Sequence, residues 1–214
     1  TLAALDGTLH DSDAFVVKLK ADGSALEYAT YFGGNSGEAG AGIALDAAGN
    51  AYVTGYTWGG SDFPLVNAFQ SSHGGVRDAF VAKFSADGSS LLFSTFLGGS
   101  GDEQGRDIAV DSAGRAHVAG LTSSANFPVS AGALQSNFGG VWDVFVTKFS
   151  PDGQTLDYST YLGGTDDEFN YVGPNIELNP AGQAIVAGLA GSTNFPTTAD
   201  AFQPAFGGGG ERKS

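Results

Sequence analysis

Apolar residues recur along the chain in short runs that are flanked by Asp and Gly. The run Asp13-Ala-Phe-Val-Val-Lys-Leu19 returns as Asp78-Ala-Phe-Val-Ala-Lys-Phe84 and as Asp143-Val-Phe-Val-Thr-Lys-Phe149, at intervals of 65 residues. Each run is nearly continuous in its hydrophobicity, which is typical of a strand that is buried on both faces. A regular interval of this length predicts a repeat architecture.

Each repeat contains four strand-like segments joined by turn residues. One consecutive set of four comprises 107–111, 116–122, 143–149 and 156–162. Asp-Ser-Ala-Gly-Arg links the first pair, and Pro-Asp-Gly-Gln links the second. Gly in such short connections supplies the positive φ of a tight hairpin. Four antiparallel strands of this length form one propeller blade. The sequence therefore predicts an all-β chain with a single β-propeller region over 1–214. The repeat units are approximately 13–77, 78–142 and 143–210.

The strand count gives about three blade equivalents. Strands three and four of one blade come first (13–19 and 26–32), two full blades follow, and strands one and two of another blade come last (175–179 and 184–189). Complete propellers usually have about four to eight blades. Positions 211–214 read Glu-Arg-Lys-Ser where the repeat would place the next Asp-Ala-Phe-Val strand. We therefore expect a segment of a larger propeller, or an arc that another copy or a partner completes.

The linked motifs of the repeat resemble those of a known family. The segment IAVDSAGRAHVAGLT is preceded by FLGG and followed by SANFP and ALQ, and this order is repeated along the chain. It resembles the SBBP repeats, a bacterial β-propeller repeat family, over about 13–206. The resemblance implies a propeller fold and a largely extracytoplasmic location, which is periplasmic, cell-surface or secreted. It implies little about activity, because propellers carry unrelated functions.

Charge and composition exclude several classes of partner. The chain has 9 Lys and Arg against 23 Asp and Glu, a net charge of −14, whereas nucleic-acid affinity depends on cations that neutralise phosphates. We therefore expect neither nucleic acid nor an anionic membrane surface as a partner. No apolar run reaches the ~18 residues of a membrane span. The absence of Cys excludes disulfides, zinc thiolate sites and a cysteine nucleophile.

The connections between strands are of two kinds. Tight Asp-Gly turns follow strands one and three, and long loops follow strands two and four, so we expect the long loops to share one face of the propeller, the long-loop face. Binding sites are usually built on long loops carried by a rigid scaffold. We predict that a protein partner, or further blades of an assembly, binds this face. The predicted binding residues are Trp58, His73, Arg77, Asp102, Glu103, Trp142, Asp166, Asp167 and Glu168.

Two sets of repeated side chains are predicted to be structural. The first precedes Pro in each long loop and should anchor it, because Pro keeps the preceding residue extended and burial of Phe stabilises by ~2 kcal/mol. The second set lies within the apolar runs, where each lysine stem should pack between blades while its ammonium group meets a carboxylate. These residues are Phe63, Phe127 and Phe195, and Lys18, Lys83 and Lys148.

Acidic loop residues raise the question of metal binding and catalysis. Ca²⁺ takes six to eight oxygen ligands, but no Asp-x-Asp-x-Asp-Gly spacing occurs, so we expect no cofactor and keep Ca²⁺ as an alternative. Paired carboxylates also suit a glycosidase, yet these acids recur with the repeat, whereas an active site usually breaks symmetry. His10, His73 and His117 follow no metal or triad spacing. We assign no catalytic residue and expect no enzymatic activity.

Two hypotheses for function remain. The first is a non-catalytic, extracytoplasmic propeller that acts as a protein-interaction or scaffolding module. The alternative is a carbohydrate-binding or carbohydrate-cleaving propeller, with or without dependence on Ca²⁺. The surface acids and the aromatic residues Trp58 and Trp142 support this alternative.

Overall fold

A computed structural model describes residues 12–168 and 173–208, which form twelve β-strands. In chain order they are β1 (Ala14–Leu19), β2 (Leu26–Phe32), β3 (Glu38–Leu45), β4 (Ala51–Thr57), β5 (Asp78–Phe84), β6 (Leu91–Leu97), β7 (Glu103–Val110), β8 (Ala116–Thr122), β9 (Asp143–Phe149), β10 (Leu156–Leu162), β11 (Asn175–Leu178) and β12 (Ala184–Ala187). The all-β prediction is confirmed. No helix in the described ranges is long and apolar enough to cross a membrane.

The strands form two full blades and two half-blades. The full blades are four-stranded antiparallel sheets with the orders β3-β4-β5-β6 and β7-β8-β9-β10. β1 pairs with β2, and β11 pairs with β12, as separate two-stranded sheets. This arrangement confirms the predicted strand count. Each full blade joins strands one and two of one repeat to strands three and four of the next.

The first strands of successive blades pack against one another. β3 contacts β7, and β7 contacts β11, so these strands line the inner side of an arc of blades. The two backbones come very close at Gly42, where a Cβ atom would lie 2.8 Å from the Cα atom of Asp107. A larger residue at position 42 would push the two blades apart.

Aromatic rings fill the space within and between the blades. Phe80 and Phe84 each meet Phe32 of the preceding half-blade edge-on, with ring centroids 5.4 and 5.3 Å apart. In the second full blade, Phe145 stacks on Phe127 at 4.6 Å. Phe80, Phe84 and Phe145 are fully buried. Burial of such large apolar side chains is the main contribution to the stability of the stack.

Asp side chains close the tight hairpins between strands one and two. Asp46 Oδ1 accepts hydrogen bonds from the backbone N–H groups of Ala48 and Asn50, at 3.0 and 2.9 Å. Asp111 Oδ1 repeats this arrangement in the second full blade. Gly49 completes the first turn with a φ of 83°. The Asp-x-x-Gly segments are therefore turn motifs.

Candidate functional site

The long loops meet at one end of the blades. The N–H of Trp58 donates to the carbonyl of Gly37 at 3.0 Å, and the N–H of Val76 donates to that of Gly101 at 2.6 Å. Because neighbouring strands run in opposite directions, the tight turns lie at the other end. The topology thus gives the molecule a long-loop face and a hairpin-turn face.

Four side chains form an aromatic–arginine cluster on the long-loop face: Tyr56, Trp58, Arg77 and Asp102. The Arg77 guanidinium donates to both carboxylate oxygens of Asp102, from Nε at 2.8 Å and from a terminal nitrogen at 2.5 Å. Its central carbon lies 5.1 Å from the ring centre of Tyr56 and 5.3 Å from that of Trp58. Trp58 stays 47% exposed. The cluster therefore presents an aromatic surface beside a fixed cation.

Two residues on β7 extend the cluster towards the inner side of the arc. Arg106 donates a hydrogen bond to Gln104 Oε1, while its Nε is buried without a hydrogen-bond partner in the described ranges. Burial lowers the pKa of Arg106, and the charge of Arg77 lowers it further. Sequence reasoning did not single out Tyr56, Gln104 or Arg106. Tyr56 could have been noticed in the sequence, because it breaks the repeat: the next repeat has Leu121 at the equivalent position.

The next junction on the same face lacks the cluster. Trp142 occupies the position of Arg77 and packs half-buried against an apolar group that includes Leu121 and Val144. Its backbone forms a parallel bridge with Asp167, as that of Arg77 does with Asp102. Asp166 is exposed. The aromatic–arginine arrangement therefore occurs once among the described residues and breaks the repeat symmetry.

The histidines do not form a common site. His73 lies below the Trp58 loop, where its ring meets Phe96 edge-on at 5.8 Å and its Nε2 is 4.0 Å from Asp78 Oδ1. His117 is buried in the second full blade, with its Nε2 3.6 Å from Asp111. His10 lies outside the described residues. His73 supports the long-loop face from below, and His117 belongs to the blade interior.

Two residues predicted at the surface, Glu103 and Glu168, are buried. β7 begins at Glu103, earlier than the 107–111 segment expected from the sequence, and this side chain is fully buried. Its Oε1 accepts hydrogen bonds from the hydroxyls of Thr122 and Ser124, at 2.7 and 2.6 Å. Its Oε2 accepts from the N–H of Gly99 at 2.7 Å. These donors hold a carboxylate inside the blade, and Glu168 is also only 1% exposed.

Each buried glutamate faces an aspartate that lies 25 residues earlier in the sequence. A Cβ atom on Gly98 would lie 2.5 Å from Asp78 Oδ1 and 2.8 Å from Glu103 Oε2, so the two carboxyl groups converge on the same small space. The Oδ2 atom of Asp78 accepts from the Gln70 amide and the Gly74 N–H, both at 3.0 Å. The other two acid pairs are Asp13 with Glu38 and Asp143 with Glu168.

Burial raises the pKa of four of these acids. The pKa of Asp143 rises to about 6, mainly because the group is buried and further because Glu168 is close. The pKa values of Glu38, Asp78 and Glu103 are also raised, in each case mainly by burial. Such pairs favour one neutral carboxyl group. In the described ranges, no group of three or more His, Asp or Glu side chains is arranged to hold a metal ion.

The predicted structural residues differ between full blades and half-blades. Lys83 Nζ lies 3.3 Å from Asp46 and 4.7 Å above the ring of Tyr52, and Lys148 Nζ lies 3.6 Å from Asp111, with both lysine side chains largely buried. Lys18 pairs with Glu27 at 2.8 Å but stays 49% exposed. The three loop phenylalanines follow the same division: Phe63 and Phe127 are buried, and Phe195 is half-buried.

Comparison with known families identifies two copies of one motif. Residues 27–64 and 92–128 match a family model described as SBBP, Beta-propeller repeat. Each match runs from a fourth strand through strands one and two of the next blade to the Phe-Pro loop. A search of curated proteins gave no significant match.

Proposed function

We propose that this chain, which carries SBBP β-propeller repeats, is a non-catalytic, extracytoplasmic protein-interaction module. Its partner binds the long-loop face at the aromatic–arginine cluster. The observation that carries this proposal is the half-exposed Trp58, whose ring contacts the Tyr56 ring edge-on and the Arg77 guanidinium. Trp, Tyr and Arg are the residues that most often dominate binding energy at protein interfaces.

The braced geometry of the cluster supports this role. Arg77 is fixed by two hydrogen bonds to Asp102 and by two aromatic rings, so binding would cost little side-chain entropy. The full blades below the cluster form a rigid base. The extracytoplasmic location rests on the family resemblance.

The arrangement of carboxylates supports a non-catalytic module. A retaining glycosidase needs two carboxyl groups that flank an accessible bond at about 5 Å. The Asp78–Glu103 and Asp143–Glu168 pairs lie inside the blades, where these four residues are at most 1% exposed. Asp102 on the surface is engaged by Arg77. A substrate would therefore meet no free pair of acids at the cluster.

Photo-crosslinking in the producing cells tests the proposal. A benzophenone amino acid at position 58 should form an adduct with a second protein, whereas the same group at the hairpin-turn residue Asp87 should not. With that partner purified, Trp58→Ala should raise the dissociation constant about 30-fold, as expected for a hot-spot residue, and Asp87→Ala should leave it unchanged. Adducts formed only at position 87 would contradict the proposal.

Carbohydrate binding is the second candidate. It is favoured by the half-exposed Trp58, which could stack on a sugar ring, and by the neighbouring polar groups of Arg77 and Asp102, which could bond its hydroxyls. A glycan array, read with and without Ca²⁺ and repeated with Trp58→Ala, separates the two candidates. Binding to a defined glycan that is lost in the variant would replace the protein partner with a carbohydrate ligand.

A further inference from the structure

Both ends of the arc present a strand edge without a strand partner in the described residues. β1 pairs only with β2, and β12 pairs only with β11. By its position in the repeat β1 is a third strand, and β12 is a second strand. In both full blades the second strand pairs directly with the third, as β4 does with β5. β12 therefore lacks a neighbouring third strand, which is what β1 is. β1 likewise lacks a neighbouring second strand, which is what β12 is.

We propose that two copies of this chain complete each other, with β1 of one copy adding to β12 of the other. Each junction would form a four-stranded blade in the order β11-β12-β1-β2. Two copies would then close a ring of about six blades, within the usual range for propellers. This inference concerns the ends of the arc and does not depend on the ligand of the long-loop face.

The register of the full blades defines the new pairing. Gly55 lies opposite Phe80 in the first full blade, and Gly120 lies opposite Phe145 in the second. The equivalent residues at the free edges are Gly188 and Phe15. The same register places Val16 opposite Ala187, as Val81 lies opposite Thr54.

The pairing would place the Phe15 ring over the free space at Gly188. A Cβ atom on Gly55 would lie 2.9 Å from the Phe80 ring, so this glycine makes room for the ring. Around Gly188 the nearest heavy atom to such a Cβ is in Pro174, at 3.4 Å, and no aromatic ring of the described residues lies within 4 Å. Phe15 is 70% exposed, whereas Phe80 is fully buried. Insertion of Phe15 over Gly188 would bury the ring as in the full blades.

A groove beside β12 is lined by groups that would bind the start of a third strand. It has a volume of about 550 Å³ and is lined by Phe195, Gln203 and Gly207, among others. The equivalents of Gln203 and Gly207 in the first full blade are Gln70 and Gly74, and both donate hydrogen bonds to Asp78. The residue equivalent to Asp78 is Asp13, which directly precedes β1. The groove thus has the donors that receive an aspartate at the start of a third strand.

Phe195 is a second residue against which the Phe15 ring would pack. Its equivalents, Phe63 and Phe127, pack on the rings of Phe80 and Phe145 with centroids 5.6 and 4.6 Å apart. Phe195 is only half-buried, and the equivalent of Phe80 on the free third strand is Phe15. One ring from the other copy would therefore fill both the Gly188 site and the Phe195 contact.

By its sequence and its exposed edge, Asp13–Leu19 of a second copy fits the groove beside β12. Asp13-Ala-Phe-Val has the required pattern and lies at the far end of the arc. A second groove of about 520 Å³ between β1 and β3 would receive β11 and β12 of the other copy.

Cysteine cross-linking tests the proposal directly, because the chain contains no Cys. Opposed residues on antiparallel strands lie about 4.5–5.5 Å apart, within the range that a disulfide spans. A mixture of Val16→Cys and Ala187→Cys chains should form a disulfide-linked dimer on mild oxidation. Val17→Cys mixed with Ala187→Cys is the matched control, since its thiol points to the opposite face of the sheet and should give no link.

The double variant Val16→Cys/Ala187→Cys distinguishes exchange from closure within one chain. Linked dimers would support exchange between copies. A disulfide within a single chain, or a native mass equal to one chain at all concentrations with no link, would overturn it.

In the cysteine-free protein, Phe15→Ala should raise the dissociation constant of the dimer at least about tenfold. Leu92→Ala, which removes an exposed apolar side chain from the outer strand β6, should not.

Discussion

The full blades and the half-blades carry the same sequence motif in different surroundings. Phe80 and Phe145 are fully buried, whereas Phe15, at the equivalent position on β1, is 70% exposed. Lys83 and Lys148 are largely buried beside carboxylates, whereas Lys18 is half exposed. The motif specifies which face of a strand is apolar, but a neighbouring second strand is needed to cover it. The contribution of a residue to stability should therefore follow its blade and not its place in the repeat.

The largest difference is expected for the phenylalanine of the third strand. Phe145→Ala should lower the free energy of unfolding by about 3–5 kcal/mol, because it leaves a cavity in a packed blade. Phe15→Ala should change it by less than about 0.5 kcal/mol at concentrations where the chain is monomeric, because the ring is already in solvent. Urea denaturation of both variants makes the comparison. Equal losses would show that β1 is already covered in the monomer.

The glycines opposite these rings give the next largest contrast. Gly120→Ala would place a Cβ atom against the Phe145 ring and the Gln104 carbonyl, and overpacking of this kind should cost about 1–3 kcal/mol. Gly188→Ala has free space and should be nearly neutral. Thermal unfolding monitored by circular dichroism is the appropriate measurement. A cost for Gly188→Ala equal to that for Gly120→Ala would contradict the difference between the blades.

The buried acid pairs predict an unusual dependence of stability on pH. The pKa of Asp143 is about 6 in the folded protein and about 3.9 when unfolded, so the folded state holds this proton more tightly. Stability should therefore decrease as pH rises from about 4 to 7, by on the order of 1–3 kcal/mol from this pair. Asp143→Asn should flatten the curve in that window.

A turn aspartate provides the control for this pH effect. Hydrogen bonds from Ser85 and Ser89 lower the pKa of Asp87 to about 2, so it stays ionised across the same window. Asp87→Asn should leave the slope between pH 4 and 7 unchanged. Chemical denaturation at several pH values makes the comparison. A wild-type stability that rises between pH 5 and 7, or a slope unaffected by Asp143→Asn, would contradict the assignment.

The smallest effect is expected for the repeated lysines. Lys83→Met removes the ion pair with Asp46 and the contact with the Tyr52 ring, and should cost about 1 kcal/mol. Lys18→Met should be close to neutral, because its partner Glu27 is also exposed. Denaturation of the two variants at low and high salt measures the difference. A larger cost for Lys18→Met would reverse the proposed order.

The sequence predicts the strands well because they are local. β5, β8, β9 and β10 begin and end at the expected residues, since their apolar runs and Asp-Gly turns lie within one short segment. β7 was predicted at 107–111, but it begins at Glu103. Its first residues are polar and read as a loop. They are a strand because their backbone pairs with the end of β8, and the hydroxyls of Thr122 and Ser124 satisfy the Glu103 carboxylate.

The candidate site was predicted only in part for a similar reason. Trp58 and Arg77 stand out in the sequence as rare residues in long loops. Tyr56 breaks the repeat, but the roles of Gln104 and Arg106 arise only when β4 and β7 come together in adjacent blades. The burial of Glu168 likewise depends on contacts that its own loop does not reveal. Repeat position locates the loops, and contacts between blades decide which loop residues reach the surface.

When two copies meet, the free edges of β1 and β12 should become interior strands. Hydrogen–deuterium exchange over a range of protein concentrations measures this change. At low concentration the amides of β1 and β12 should exchange faster than those of β5 and β8, and at high concentration they should become equally protected. Exchange rates in β1 and β12 that do not change with concentration would contradict this pairing.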